Sequence, residues 1–531
     1  MKKRIILLAM ALALALTALS GLALGEAPAA DAVGPVESAA PQEESVLEAA
    51  EETAEKIDAE SRGFLDKVAS VNGAVNDIVW GWPAMILILG VGLFLTLGSK
   101  GFQFRKFGTA MKETLGKVFH KKEASHGSIT PWQAVCTALA ATVGTGNIAG
   151  VAGAIAIGGP GAVFWMWVSA LFGMCTKFAE VTLSIHFRER NDKGDWVGGP
   201  MYYISKGLGK NWKWLGTLFA LFGMFAAFGI GNMTQINSIV TSISGTINSY
   251  TPINVNAANL IIGIIVAAFC ALVLLGGLKR IGQVTEKLVP FMAVIYIVSA
   301  LIIFFAHIGN IGNVLRGIFV GAFTPSAVVG GVAGVTISAA VKRGVGRGVF
   351  SNEAGLGSAP IAHAAADNDS AVHQGCFGVF EVFADTIVIC TLTAFAVLMS
   401  GTPIEYGQAA GADLTIAAFG TTFGRAGGII ISVGLTLFAT STILSWCLYG
   451  TRCAEFLFKS TKVIKPYQVI FCLIIVLGAV TELSLVWDLA DTLNGLMALP
   501  NLVGLLALSP IVIKLCREYF NGVRLGESNR K

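Results

Sequence analysis

Charged residues are scarce in this sequence. Lys, Arg, Asp and Glu make up 13% of its 531 residues, whereas ordinary soluble proteins carry about 25%. Hydrophobic residues account for 54% of the chain, and the mean hydropathy is +0.70. This composition excludes an ordinary soluble protein and predicts an all-α polytopic membrane protein. The net charge of +4 is too small to indicate nucleic-acid binding.

The sequence also lacks the short motifs of the common hydrolases and nucleotide-binding enzymes. Its six histidines are scattered, and the patterns H-E-x-x-H, G-x-S-x-G and the P-loop do not occur. The nine cysteines form no C-x-x-C pair. Because most of them lie in apolar segments, we expect small packing residues rather than disulfides or ligands. An enzyme is therefore not predicted.

The N-terminal segment has the form of a secretory signal peptide. A basic start and an apolar run are followed by small residues near 23–25. We predict a signal peptide over 1–25, cleaved close to Glu26, and an uncleaved helix is the alternative. Residues 26–74 predict an acidic tail outside the cytoplasm, disordered or weakly helical.

Apolar segments long enough to cross a hydrocarbon core of about 30 Å recur along the rest of the chain. We predict eleven transmembrane helices, of which the seventh is unusually long and irregular. The predicted bounds are 80–98, 131–157, 162–186, 214–240, 257–277, 288–307, 327–365, 376–400, 427–450, 466–482 and 487–513.

The distribution of Lys and Arg predicts the orientation. The loops after the first, third, fifth and ninth spans are basic, as is the tail over 514–531, whereas the alternate loops contain stretches without Lys or Arg. Because short cytoplasmic loops carry the positive charge, residues 75–130 are expected to comprise the first span and a cytoplasmic loop. The N-terminus then lies outside, the C-terminus lies in the cytoplasm, and the cell membrane is the expected location. Lys342, Arg343 and Arg347 are an exception to this pattern.

Two predicted spans are interrupted by glycine and polar residues at corresponding places. One contains VGTGN (143–147) and the other SNEAGLGSAP (351–360), and each precedes a span with two ionisable residues one turn apart. Blocks of five spans over 131–307 and 327–513 would be inverted relative to each other. Paired interrupted helices in inverted halves indicate a secondary transporter with a site near the bilayer midplane. The ionisable pairs are Lys177 with Glu180 and Glu381 with Asp385.

The VGTGN segment allows three interpretations. A dinucleotide-binding fingerprint needs a preceding buried strand and an acidic residue about 20 positions later, and neither is present. Gly146 and Gly150 are spaced for close helix packing. Alternatively, the glycines open the helix, so that freed amides bind an anion and freed carbonyls bind a cation. A zwitterionic amino acid and a sodium ion would suit such a site.

Polar residues in two other spans are further candidates. The ninth span supplies hydroxyls at Thr440, Ser441 and Thr442, for which bonding to their own helix is the alternative. In the fourth span, the spacing of Phe228, Asn232 and Gln235 predicts one helical face. These residues would either wall a site or pack against neighbouring helices.

Intramembrane carboxylates are functional candidates by default. Glu353 lies in the second interrupted span, and Glu381 and Asp385 lie in the span that follows it. The alternative for Glu381 and Asp385 is a structural ion pair with a basic group near Arg343 or Arg347.

Three longer segments resemble one known family. TALAATVGTGNIAGVAGAIAIGGPGAVFWMW, GGPMYYI at 198–204 and FSNEAGLGSAPIAHAAA are similar to segments of the alanine or glycine:cation symporters. The resemblance covers about 75–525 and leaves the signal peptide and the acidic tail outside it. It implies the five-plus-five inverted-repeat fold shared with the neurotransmitter:sodium symporters, preceded by one extra helix.

The resemblance also implies a binding site. The amides of Thr145 and Gly146 would bind a substrate carboxylate, with Asn147 as a second polar contact. Asn352 would contribute from the second broken helix. The pocket would be walled by Phe228, Gln235, Thr442 and Trp446. A sodium ion would be bound by the carbonyls of Ala140, Val143 and Leu437 and by the hydroxyls of Thr440 and Ser441.

The function expected from these features is sodium-coupled symport of alanine and/or glycine into the cell by alternating access, with D-alanine as a further candidate. Proton coupling, or exchange of another small zwitterionic solute, is the alternative. A channel would need a continuous pore and usually a symmetric filter, and the inverted repeat argues against it. The expected partners are the amino acid and the lipid bilayer, without nucleic acid or an obligate protein partner.

Overall fold

The computed structural model describes residues 66–116, 124–325, 328, 335–481 and 484–521. Within these ranges the chain is almost entirely helical. The predicted signal peptide and residues 26–65 of the predicted tail lie outside the described residues. Residues 66–74, also assigned to that tail, are helical. They belong to the N-terminal helix, Asp66–Gly98, which has a bend at 80–81 and whose part after the bend, Trp82–Gly98, is α1.

The helices are numbered along the chain. The first half contains α1 (Trp82–Gly98), α2 (Phe102–Arg105), α3 (Phe107–Leu115), α4 (Pro131–Thr142), α5 (Val151–Gly158), α6 (Gly161–Phe187), α7 (Pro200–Gly207), α8 (Lys213–Phe228), α9 (Thr234–Tyr250), α10 (Val255–Leu274) and α11 (Gly277–Ala306). Two short strands, β1 (Glu189–Arg190) and β2 (Trp196–Val197), pair antiparallel after α6.

The second half contains α12 (Ile311–Phe323), α13 (Ile337–Asn352), α14 (Ala359–His363), α15 (Ala371–Val382), α16 (Thr391–Met399), α17 (Ala412–Phe423), α18 (Ala426–Phe458), α19 (Ile464–Val480) and α20 (Ser484–Phe520). Three π-helical segments, which have a wider turn than an α-helix, continue into or between these helices. They are Gly146–Gly150 before α5, Gly229–Met233 between α8 and α9, and Phe383–Cys390 between α15 and α16.

Nine of the described helices are long and apolar enough to cross a membrane, or ten if the bent pair Pro131–Thr142 and Gly146–Gly158 counts as one span. They correspond to ten of the eleven predicted spans. The seventh predicted span corresponds to α13 and α14. Because α13 has only 16 residues and carries three basic side chains, it does not qualify by length and composition. The count of eleven therefore stays a prediction.

Three basic residues in segments that we assigned to loops belong to helices. Lys279 and Arg280 are exposed in the first turn of α11, which begins at Gly277. Arg452 lies inside α18, which ends at Phe458 rather than near 450. Its buried guanidinium pairs with Glu455 at 2.6 Å and with Asp195 at 3.3 Å. Local pairing therefore lets α18 continue through a residue whose charge suggested a loop.

Glycines set the position of the second broken helix against α6. A Cβ atom at Gly344 would lie 2.3 Å from the carbonyl oxygen of Ala162, and one at Gly348 would lie 2.0 Å from Ser169 Oγ. Only residues without a side chain allow helices to approach so closely. α13, after which the second break begins, is thereby held against the first half of α6.

Candidate functional site

The first helix break lies within the VGTGN segment. α4 ends at Thr142, Val143 leaves the helix with a ψ of 86°, and the helical segments on either side are inclined by 51°. The side chain of Asn147 closes the opened turn, because its Oδ1 accepts a hydrogen bond from the Gly144 amide at 2.9 Å. A Cβ at Gly144 would lie 2.8 Å from Thr442 Oγ1, so glycine lets α18 lie against the break.

The second break begins at Glu353, directly after α13. Glu353, Gly355 and Gly357 have φ values of 55°, 93° and 83°, in the left-handed region that favours glycine. Two side chains secure the opened backbone. Asn352 Oδ1 accepts a hydrogen bond from the Ala354 amide at 2.9 Å, and Ser358 Oγ donates to Glu353 Oε2 at 2.5 Å.

A small cavity lies against both breaks. The first break, the segment around α9, the end of α13, α18 and α20 all contribute to its wall. Five of the eight substrate-binding residues implied by the resemblance line it: Thr145, Gly146, Gln235, Thr442 and Trp446. The other three, Asn147, Phe228 and Asn352, do not belong to its lining.

Asn147 and Asn352 belong to a buried polar cluster behind the cavity. Asn147 Nδ2 donates to Asp385 Oδ1 at 2.6 Å, and Ser351 Oγ donates to the same oxygen at 3.1 Å. Thr386 Oγ1 donates to Asp385 Oδ2 at 2.7 Å and accepts a hydrogen bond from Asn352 Nδ2 at 3.0 Å. Asp385 therefore links the two broken helices and, among the described residues, has no cation within 4 Å.

Phe228, which the resemblance places in the pocket wall, does not line the cavity. Its ring packs 4.7 Å from that of Tyr467 and 5.8 Å from that of Phe471, and Asn232 Nδ2 donates to the Phe471 carbonyl at 2.7 Å. The prediction assumed an unbroken α-helix. The π-helical segment Gly229–Met233 lies between Phe228 and Gln235 and changes the face that each presents.

Glu381 pairs with residues other than those we considered. Its carboxylate lies 3.2 Å from Lys177 Nζ and 3.1 Å from His363 Nε2, and all three side chains are inaccessible to solvent. The alternative that Glu381 pairs near Arg343 or Arg347 is wrong. Lys177 is one of the two paired ionisable residues in the span after the first break, so this ion pair joins α6 to α15.

The hydroxyl residues of α18 meet the backbone of α4. Ser441 Oγ and Thr442 Oγ1 donate to the Ala140 carbonyl at 3.2 and 3.0 Å, and both also contact the Phe438 carbonyl of their own helix at 2.8 and 3.0 Å. Thr440 is buried close by, and Val143 and Leu437 pack in one apolar cluster. The described residues contain no group of three or more His, Cys, Asp or Glu able to hold a metal. A cation here would therefore rely on carbonyl and hydroxyl oxygens.

Two residues at the site were missed by the sequence analysis. Asn494 of α20 lines the cavity, and its signal was an amide within the predicted membrane span 487–513. Arg347 of α13 lies beside the first break. Its guanidinium occupies the space next to Gly150, where an added Cβ would lie 2.2 Å from its Nη1. We noted Arg347 as an exception to the charge pattern of the loops and as a candidate partner of Glu381 or Asp385, but not as a residue of the site.

Long apolar helices, together with two helix breaks beside a buried cavity, are the features of a multi-pass membrane transporter. The chain belongs to the sodium:alanine symporter family, whose model matches residues 65–531. This is a family of transporters and not of enzymes.

Three relatives illustrate the similarity. The sodium/alanine symporter AgcS of Methanococcus maripaludis is 47% identical over 87% of this chain and 99% of its own length. An uncharacterized transporter of Haemophilus influenzae is 43% identical over 86% of this chain and 97% of its own. The probable sodium/glutamine symporter GlnT of Bacillus subtilis is 37% identical over 86% of this chain and 91% of its own.

Proposed function

We propose that this protein is a sodium-coupled symporter that carries small neutral amino acids, alanine and/or glycine, into the cell by alternating access. The observation that carries the proposal is the cavity at the first helix break, lined by Thr145 and Gly146. Backbone that leaves the helix inside a membrane span offers free amide donors to a carboxylate. We retain the predicted orientation and the two inverted repeats, 131–307 and 327–513, as part of the proposal.

Trp446 supports a small substrate. Its indole lines the cavity, and a Cβ at Gly231 would lie 2.2 Å from Trp446 Cβ. Because the tryptophan is already pressed against the π-helical segment Gly229–Met233, it has little room to move aside for a longer side chain. This packing favours alanine or glycine over glutamine, the amino acid after which the Bacillus subtilis relative GlnT is named.

The contacts of Ala140 support sodium as the coupling ion. Its carbonyl oxygen meets the hydroxyls of Ser441 and Thr442, and oxygen ligands of this kind suit a hard cation. Val143, Leu437 and Thr440 would complete the site. Because Thr442 also lines the cavity, a bound sodium ion would fix one wall of the substrate site, and each ligand would strengthen binding of the other.

Uptake into proteoliposomes tests this function. Labelled alanine, glycine and glutamine are supplied with an inward sodium gradient, an inward proton gradient or no gradient. We expect saturable alanine or glycine uptake that requires the sodium gradient, with weak glutamine uptake. Uptake driven only by protons would overturn the sodium assignment, and flux that neither saturates nor responds to a gradient would indicate a channel.

Ser441→Ala tests the ion site separately. Removing one oxygen ligand should raise the sodium concentration for half-maximal uptake by about tenfold, as expected for losing one contact to a charged group. The KM for alanine at saturating sodium should change much less. Ser445→Ala is the matched control, because this hydroxyl also donates to α4, at the Thr137 carbonyl 2.7 Å away. Equal sodium shifts in both variants would mean that the hydroxyls only join the two helices.

A further inference from the structure

Asn494 is a buried amide whose side-chain oxygen has no hydrogen-bond donor among the described residues. The residue is 2% exposed, and its Oδ1 has no partner among the described residues. Because buried polar groups in folded proteins are nearly always hydrogen-bonded, such an unpaired acceptor needs an explanation. A ligand that donates to it is one such explanation.

The position of Asn494 indicates that such a ligand would bind in the cavity. Asn494 belongs to the cavity wall together with Gln235. The Gln235 amide is satisfied within the protein, since Oε1 accepts from Thr145 Oγ1 at 3.3 Å and Nε2 donates to the Ile230 carbonyl at 2.9 Å. Asn494 is different, because its oxygen has no protein donor in the described part of the chain.

The neighbouring turns of α20 hold Asn494 in place. One turn earlier, the Asp491 carbonyl accepts a hydrogen bond from Trp80 Nε1 at 3.2 Å. Two turns later, Asn501 Nδ2 donates to Glu180 Oε1 at 2.6 Å. A Cβ at Gly495 would lie 2.2 Å from Val79 Cγ1, so α20 and the N-terminal helix lie in close contact here. The amide is thus held at the cavity by fixed helices.

We propose that Asn494 is a substrate-binding residue whose Oδ1 accepts a hydrogen bond from the ammonium group of the amino acid. The inference rests on the proposed function, which assigns the substrate carboxylate to the amides of Thr145 and Gly146. An ammonium group is the donor that a zwitterionic amino acid adds to its carboxylate. The N-terminal helix acquires a role as well, because it packs against the segment of α20 that carries this residue.

Two variants of opposite character test the assignment. Asn494→Leu has a similar volume and no acceptor, and it should raise the KM for alanine by about 10- to 100-fold, as expected for losing a hydrogen bond to a charged group. Asn494→Asp keeps an acceptor and adds negative charge, so alanine uptake should retain a KM within a few-fold of the wild type. Ser509→Ala in the same helix should leave the KM unchanged, because among the described residues this hydroxyl hydrogen-bonds only to the Leu506 carbonyl.

The thermal stability of Asn494→Leu distinguishes a substrate-binding role from a structural role. Replacing an unpaired buried amide with an apolar group should leave the thermal midpoint of the detergent-solubilised protein unchanged or raise it. A large fall in the midpoint of Asn494→Leu, with an unchanged KM for alanine, would overturn the inference. Equal loss of affinity in the Leu and Asp variants would also overturn it, by assigning the amide nitrogen to the substrate carboxylate.

Competition with analogues separates this inference from the proposed function. Propionate has the carboxylate of alanine without the ammonium group, so alanine should compete for uptake much better than propionate in the wild type. In Asn494→Leu that preference should shrink about 10-fold or more. An unchanged preference refutes only the ammonium contact. A wild-type protein that takes up neither alanine nor glycine would refute both proposals.

Discussion

At the scale of single residues, the absence of a side chain at Gly150 leaves room for the guanidinium of Arg347. The spacing of Gly150 from Gly146 suggested packing between helices, but this glycine accommodates a charged side chain. A Cβ at Gly150 would lie 2.2 Å from Arg347 Nη1 and 2.3 Å from its Cζ. The guanidinium also lies 4.8 Å from the ring of Phe350, a residue of the cavity wall. It therefore brings a positive charge to the first break, where we propose the substrate carboxylate binds.

Gly150→Ala is expected to impair uptake through Arg347. The added methyl group must displace the guanidinium, which can move at little cost in stability because it ends a flexible side chain. We expect normal folding and a rise of about tenfold in the KM for alanine, the order expected when one charge moves away from a binding site. The same change should follow Arg347→Gln. Kinetics of labelled alanine uptake and thermal midpoints in detergent measure both effects.

Gly346→Ala is the matched control for this prediction. It adds a methyl group next to Arg347 in the chain, but its Cβ would meet only Met85 Cε, at 3.5 Å. Wild-type kinetics are expected for this variant. If Gly150→Ala also showed wild-type kinetics, the guanidinium would have no part in binding.

At the scale of helices, both breaks were predictable because their causes are local. Glycine and polar residues at VGTGN and SNEAGLGSAP predicted interruptions, and the structure breaks at Val143 and at Glu353. The π-helical segments were not predicted. A π-helical turn depends on the packing of both helix faces, and the composition of Gly229–Met233 does not distinguish it from α-helix. For this reason the spacing of Phe228 and Gln235 did not reveal that only Gln235 lines the cavity.

The changed helix face can be tested with two substitutions in the same span. Phe228→Leu should lower the stability by about 1 kcal/mol, because it reduces ring packing with Tyr467 and Phe471, and should leave the KM for alanine unchanged. Gln235→Leu removes the partner of Thr145 Oγ1 and should raise that KM. Thermal midpoints and uptake kinetics of the two variants provide the comparison. If Phe228→Leu raised the KM for alanine as much as Gln235→Leu, Phe228 would belong to the substrate site.

At the scale of the whole molecule, buried charges connect helices that are distant in sequence. Glu381 of α15 contacts Lys177 of α6 and His363 of α14. One turn along α6, Glu180 accepts hydrogen bonds from the Gly355 amide at 3.0 Å and from Asn501 Nδ2 at 2.6 Å. The second break is thereby tied to α6 and α20. Such pairings follow from the packed fold, so the sequence could identify the ionisable residues but not their partners.

The Lys177–Glu381 pair provides a test of this arrangement. Breaking a buried ion pair by removing one partner leaves an uncompensated charge and typically costs about 3 to 5 kcal/mol, whereas replacing both partners costs less. We therefore expect Lys177→Met and Glu381→Gln each to lower the thermal midpoint of the purified protein, and the double variant to melt above at least one of them. Lys206→Met, which removes a pair with Glu189 whose side chains are 38% and 47% exposed, should have little effect. Additive losses in the double variant would show that the two residues act independently.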